Sequence, residues 1–366
     1  MILGAIADDS AGSLDLAGLL QANGVRTVLL FGDGEPPRGY DVAAVSAKSS
    51  ALAPKIAAQR AVQALERLQA GNLRQVFFQF RPSFGEARRD NAGPVTDALL
   101  NALGEPFTVF VPLPKSPISD AALVRWLQRQ TPSRVGLLRL PATADGLVTG
   151  ADRLRRDGTE IALANVAVES DLDALAEAFA SLPLLAGDRA WAAALPAVWK
   201  RRGWLTDSPS RPGARTGGPA LLLAGHTPIA PAGWGEPPVF VDGQALLRDP
   251  EAETGRVLKS ARRLVRQQGY AEVRIPAMEM AAEERDLLIG VTAATLAGEV
   301  RRFLIDGEGI LEPAAAALGV EAAEVETCAA AGAHIVRPLR GASCTLVVRS
   351  AGMGERNFAQ EALENT

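Results

Sequence analysis

Short apolar runs alternate with longer amphipathic stretches along almost the whole chain, and this alternation constrains the fold more than any other feature. It is the pattern of a mostly parallel sheet covered by helices. Strands are expected at residues 2–7, 27–31, 42–45, 75–80, 107–111, 135–138, 160–164 and 182–186. Helices are expected at 14–22 (ended by Gly24), at 56–69, from Gly93-Pro94 to Leu103, and before Arg202. The stretch 206–218, TDSPSRPGARTGG, is polar and rich in Pro and Gly, and it marks a domain boundary. A second α/β pattern follows, with strands at 220–224, 239–241, 271–275, 303–306 and 345–349 and helices at 251–268 and 281–302. The expected architecture is two α/β domains with mostly parallel sheets facing a central cleft: domain one over 1–205, a linker over 206–218, and domain two over 219–366.

Composition narrows the function classes. The 366 residues carry 38 basic and 42 acidic side chains, a formal net charge of −4, so no electrostatic footprint for nucleic acid is present. The cysteines, Cys328 and Cys344, form no C-x-x-C motif, and His226 and His334 are too few for a histidine metal cage; the metal ligands are left unassigned. The N-terminal residues lack a basic n-region and no apolar run reaches the ~18 residues of a membrane span. A cytoplasmic protein without membrane partners is expected.

Chemistry is expected first at Ile6-Ala-Asp-Asp-Ser-Ala-Gly-Ser-Leu-Asp-Leu-Ala-Gly18, where a strand ends and a helix begins. In open α/β sheets, ligands bind at that carboxyl edge. Asp8 and Asp9 can hold substrate hydroxyls or accept a proton, and backbone N–H groups near Gly12 can hold an anion. The plainer alternative is that one aspartate only caps the helix; capping accounts for one carboxylate and leaves the other.

The segment resembles the opening motif of the four-carbon acid-sugar kinase family, ADD-x-T-G-A-x-D-x-A-G, with Asp8, Asp9, Gly12, Asp15, Ala17 and Gly18 matching. Later matches follow in order. Ser46-Ala-Lys-Ser49 is similar to the family's Leu-Lys-Ser/Thr-Arg strand end, keeping Lys48 as a cation for a substrate carboxylate but placing Ser50 where Arg is expected. The stretch from Phe77 to Leu99 resembles K-x-C-S-T-F-D-S-T-x-x-G-N-I-G-P-V-T-D-A-L: Asn91, Gly93, Pro94, Val95, Thr96 and Asp97 agree, whereas Gln79 replaces Lys and Gly85 replaces Asp. Arg81 offers a guanidinium nearby, which binds carboxylate or phosphate in a fork. A long loop that the family carries after Val111-Pro-Leu-Pro114 is missing. In the second domain Gly225 and His226 stand at the family's Ser-Gly-Ser-Cys-Ser strand end. Gly307, Glu308 and Gly309 align with its nucleotide loop, where Gly309, Ile310 and Leu311 replace Thr-Ser-Gly, and Ser350, Gly352 and Gly354 align with its closing Lys-Ser-Gly-Asn-Phe-Gly.

The resemblance implies an ATP-dependent kinase of a small sugar acid or hydroxy acid, using Mg²⁺, with Asp8 or Asp9 as base. It implies Gly12, Asp15, Lys48, Arg81, Asn91 and Gly93 around the acid, and Gly225, His226, Gly307, Glu308, Gly309, Ser350, Gly352 and Gly354 around the nucleotide. The replaced motif residues leave two alternatives open: a kinase-like binding or partner protein without catalysis, and a diverged enzyme that no longer uses ATP. A small-molecule acid is the expected partner, and a homo-oligomer is left open.

Overall fold

The computed structural model describes residues 1–50, 52–80, 90–113, 118–140, 143–166, 168, 170–205, 216–225, 237–276, 282–307, 309–328, 333–339 and 343–349. The chain divides into two compact units, Met1–Leu30 with Glu35–Ser210, and Phe31–Gly34 with Arg211–Thr366.

The first unit runs β1 (Leu3–Ala7), α1 (Ser10–Ala22), β2 (Thr27–Leu30), β3 (Val42–Ser46), α2 (Pro54–Gln69), β4 (Gln75–Gln79), α3 (Ala92–Leu103), β5 (Thr108–Val111), α4 (Asp120–Gln128), β6 (Val135–Leu138), α5 (Ala144–Arg156), β7 (Ile161–Ala164), α6 (Ser170–Phe179), β8 (Leu184–Gly187) and α7 (Arg189–Arg201). Its strands lie in the order β2-β3-β1-β4-β8-β5-β7-β6, all parallel. A parallel strand covered on both faces must be apolar throughout. Accordingly β1, LGAIA, and β5, TVFV, are buried at every position. Helices α1, α7, α6 and α5 pack in one series and α2, α3 and α4 in another. Beneath α7, Trp191 and Trp199 are fully buried, and Trp191 meets Phe77 of β4 edge-on at 6.0 Å between centroids.

The strand order decides where a ligand can sit. From β1 the chain builds leftward through β3 and β2, then crosses to β4 and builds rightward. The order therefore reverses between β1 and β4, which is the switch point where helices on the two sides leave a crevice at the strands' carboxyl ends.

The second unit runs β9 (Ala220–Gly225), β10 (Val239–Phe240), α8 (Gly243–Arg248), α9 (Pro250–Gln268), β11 (Tyr270–Ile275), α10 (Ala282–Leu296), β12 (Arg302–Asp306), α11 (Leu311–Ala317), β13 (Ala322–Cys328), β14 (Ala333–Pro338) and β15 (Thr345–Arg349). Local chemistry sets its longest helix. Asp249 caps α9 by accepting from the Ala252 N–H at 3.0 Å, Pro250 takes the first turn, and Gly269 ends it at φ +81°. The strands lie in the order β10-β11-β9-β12-β15-β14-β13. The first five are parallel, and β14 and β13 run antiparallel as a hairpin added to β15. Here the order reverses between β9 and β12, a second switch point of the same kind.

The mostly parallel α/β class expected from the sequence is what the chain forms. Two differences fall in the second unit. The helix expected over 281–302 stops at Leu296, because the chain turns through Gly298 and begins β12 at Arg302. The hairpin β13–β14 was not foreseen.

Candidate active site

At the first switch point the backbone of Asp8 joins three segments. Its N–H donates to the Gln79 carbonyl at 3.0 Å, and its carbonyl accepts from the N–H groups of Ser49 and Ser50 at 2.8 and 3.2 Å. Asp8 thus stands between the end of β4 and the loop after β3, and it is 8% exposed. Asp9 is extended, with φ −143°, and its Oδ1 accepts from the Gly12 N–H at 2.6 Å, the geometry of an N-cap. Of the tandem aspartates, Asp9 therefore caps α1.

Other residues singled out in the sequence divide between this place and the scaffold. Asn91 is buried, and its amide donates to the carbonyls of Ser49 and Leu52 at 2.7 and 2.9 Å, tying the loop after β3 to the start of α3. Lys48 is exposed on that loop and holds a left-handed backbone at φ +50°, its N–H donating to Ser46 Oγ at 3.2 Å. The Gly12 backbone lies under the Gln79 side-chain amide, whose nitrogen and oxygen stand 3.0 and 3.2 Å from where a Cβ would be. Asp15, buried in α1, is ion-paired with Arg189 at the start of α7. Gly93 serves packing, since a Cβ there would come within 2.9 Å of the Gln130 backbone carbonyl after α4. Arg81 lies outside the described residues.

At the second switch point the groups are of another kind. Gly307 follows β12 with φ +142°, a conformation that only glycine adopts readily, and a Cβ on it would stand 3.2 Å from the backbone nitrogen of Gly225 at the end of β9. The two strand ends therefore approach through bare backbone. Gly309 has φ +81°, and the guanidinium of Arg285 from α10 lies 3.0–3.4 Å from its Cβ position. Arg285 also donates to Asp286 Oδ1 at 3.1 Å. At the end of β15, Arg349 is ion-paired with Asp306 at 2.5 Å. Ile310 and Leu311, which stand where the family has Ser-Gly, are buried in the core. They leave the turn's backbone, rather than their side chains, to meet a ligand. His226, Glu308, Ser350, Gly352 and Gly354 lie outside the described residues.

Sequence reasoning missed two groups. Arg285 sits in the first turns of a helix far upstream of the glycine turn, and no motif marks it. Gln79 registers in the sequence only as a lost lysine, whereas its amide rests on the first turn of α1. Among the described residues no cluster of three His, Cys, Asp or Glu could hold a metal, and no helix is long and apolar enough to cross a membrane.

Comparison with known proteins places the chain in a family. A family model for a sugar-binding N-terminal domain matches residues 3–113 and 113–195. The 3-oxo-tetronate kinase of Cupriavidus necator is 32% identical, over 99% of this chain and 96% of its own. The chain belongs to the four-carbon acid-sugar kinase family. A second family member, the 3-oxo-tetronate kinase of Burkholderia multivorans, is 31% identical over the same shares of the two chains. Two solved structures share the fold. A Salmonella typhimurium protein described as a tRNA synthase superposes with a TM-score of 0.76 at 23% identity over 98% of both chains. A Haemophilus influenzae protein reaches a TM-score of 0.73 at 22% identity over 99% of both.

Proposed function

We propose that this acid-sugar kinase family protein phosphorylates a four-carbon sugar acid with ATP. The observation that carries the reading is identity of about a third, maintained over nearly the whole of both chains, with proteins named 3-oxo-tetronate kinase. The geometry supports a division of labour. The first unit takes the acid at the ends of β1, β3 and β4, and the second takes the nucleotide at the ends of β9 and β12.

In this reading a substrate hydroxyl oxygen attacks the γ-phosphorus, the bond to the β–γ bridging oxygen breaks, and ADP leaves. Asp8 receives the hydroxyl proton, because Asp9 already spends an oxygen on the helix cap. A positioned base contributes roughly 10²–10⁴ in rate. Backbone N–H groups of the Gly307–Gly309 turn and the guanidinium of Arg285 supply the donors that phosphoryl transfer needs around its charged oxygens. Mg²⁺ is held through one or two carboxylates plus substrate phosphates, so the absence of a three-carboxylate cluster among the described residues fits it. Asp306, at the end of β12 and ion-paired with Arg349, would be the carboxylate for that role; the ion would neutralise phosphate charge.

Incubation with Mg-ATP and a panel of four-carbon hydroxy and oxo acids tests this, with ADP release followed continuously and the product identified by phosphorus NMR. A phosphate monoester of one acid is the expected result. Nucleotide binding with no phosphorylated acid would leave a binding protein, and acid binding without any nucleotide effect would leave an enzyme that has abandoned ATP.

A further inference from the structure

Among the buried side-chain atoms at the first switch point, the neutral Gln79 Oε1, Ser49 Oγ and Asn91 Oδ1 have no hydrogen-bond partner. Their residues are 1%, 0% and 6% exposed. They also belong together. Gln79 ends β4 and its carbonyl holds the Asp8 N–H; Ser49 donates its N–H to the Asp8 carbonyl; Asn91 donates its amide to the Ser49 carbonyl. Gln79 and Ser49 thus hold Asp8 through their backbones, and Asn91 holds Ser49, at the carboxyl edge of the sheet.

A buried polar atom left unpaired costs about 1–3 kcal/mol, and native proteins carry few of them. Three linked in this way, where an open α/β sheet takes its ligand, point to a partner that comes from outside the chain. The chemistry of the atoms says what kind. Two are amide oxygens, which only accept, and the third is a hydroxyl, which accepts or donates. None carries a charge. With at most one donor among its three atoms, such a set is poorly matched to a carboxylate or phosphate, whose oxygens only accept. It matches groups that donate, and alcohol hydroxyls are the donors on a polyhydroxy acid.

We propose that Gln79, Ser49 and Asn91 form a neutral hydroxyl-binding patch that selects and orients the substrate by its hydroxylated carbons, leaving the acid group to be met elsewhere. The proposal rests on the sugar-acid reading above and adds to it the specificity residues and the end of the substrate that is buried. Gln79 makes the position neutral, so that a hydroxyl rather than an anion is bound beside the capped start of α1.

The test uses the full chain, with Gln79→Met, which keeps the length and removes the polar atoms, and Ser49→Ala as a second variant. Calorimetry measures binding of threonate, erythronate and 2,4-dihydroxybutyrate, the last lacking one hydroxyl. The expected result has three parts. Wild type binds a hydroxylated acid at least tenfold more tightly than the deoxy acid. Gln79→Met or Ser49→Ala loses tenfold or more for the hydroxylated acid and discriminates less. The ligand-free melting temperature of the variant is unchanged or higher, because an unpaired buried atom has been removed. Wild-type binding with unaltered affinity and discrimination in both variants overturns the patch alone. A ligand-free melting temperature lowered by several degrees in both variants overturns it too, since the polar atoms would then be serving the fold. Failure of wild type to bind any of the three acids overturns the sugar-acid reading and the patch with it.

Discussion

The two units place their candidate chemistry at the same topological position and equip it with opposite kinds of groups. Between β1 and β4 the chain gathers side chains: a carboxylate at Asp8, a second at Asp9 bound to its own helix, and neutral amides at Gln79 and Asn91. Between β9 and β12 it removes side chains, so that Gly225 and Gly307 approach through backbone and a guanidinium overlies the next glycine. A small polyhydroxy acid must be distinguished from its relatives by matched hydrogen bonds to each group, which requires specific side chains. A polyphosphate is recognised by charge and by many N–H donors, which bare backbone and arginine provide. This difference is what the proposed assignment, acid to the first unit and nucleotide to the second, rests on. Each assignment can be broken separately.

The largest effect is expected at Asp8. Asp8→Asn keeps the size of the side chain and removes its basicity, so kcat should fall by roughly 10²–10⁴ while KM for ATP stays near its wild-type value. Asp9→Asn should be much milder, because asparagine also caps helices well. Steady-state kinetics with both substrates varied checks this. Equal losses for the two variants would mean that the roles of the tandem acids are not divided as the cap implies.

Next comes the glycine turn. Gly307→Ala puts a Cβ 3.2 Å from the Gly225 backbone at φ +142°. A non-glycine residue held in such a region costs about 1–3 kcal/mol. A lower melting temperature together with a several-fold higher KM for ATP is expected, with the KM for the acid unchanged. Arg285 is a gentler probe. Arg285→Gln removes a charge on a side chain only partly buried, and Mg-ATP affinity should fall roughly 10- to 100-fold, as a charge-assisted hydrogen bond to phosphate would give (~1.5–3 kcal/mol). Arg285→Lys should recover part of it, since an ammonium binds phosphate without the fork. Thermal shift against ATP and ADP reads both. A loss that falls on the acid rather than the nucleotide would reverse the assignment of the units.

The same contrast explains what the sequence made legible. Asp8, Asp9 and Gly307 stand immediately after apolar strands, and a strand's end is read from where its apolar run stops. The helix after Asp9 was expected only from residue 14, yet it begins at Ser10, since Ser10-Ala-Gly-Ser looks like a loop until the Asp9 cap is known. Partners brought in across the sheet left no such trace. Gln79 touches Gly12, 67 residues upstream, and Arg285 covers Gly309 from another helix; periodicity reports the element a residue belongs to and not its neighbour in space. The hairpin β13–β14 was hidden differently. Its first strand, Ala-Ala-Glu-Val-Glu-Thr-Cys, is rich in good helix formers, and pairing with β14 overrides that preference.

The smallest expected effect concerns acid stability, and it tests whether the second unit's scaffold is as independent of its ligand as its glycine turn suggests. Glu253, in the first turn of α9, is buried, and its pKa is lowered chiefly by the hydrogen bond from Arg256. The Asp242 N–H, donating to Glu253 Oε1 at 2.8 Å, acts in the same direction, and burial opposes both. A carboxyl whose folded pKa lies below its unfolded value, about 4.3, contributes stability that is complete above that value and is lost as pH falls through the folded one. Glu253→Gln removes the titrating group. The variant should therefore melt a few degrees below wild type at pH 7, and the gap should close as pH is lowered below about 4, because wild type loses a contribution that the variant never had. Melting curves at half-unit steps from pH 7 to 3, without nucleotide, check the sign. A gap that stays constant to pH 3 would show that Glu253 acts through packing, its charge contributing nothing to the fold. If saturating Mg-ATP shifted both proteins by the same amount at pH 7, the start of α9 and the glycine turn would be energetically separate, as expected if the proposed nucleotide site draws nothing from that helix start.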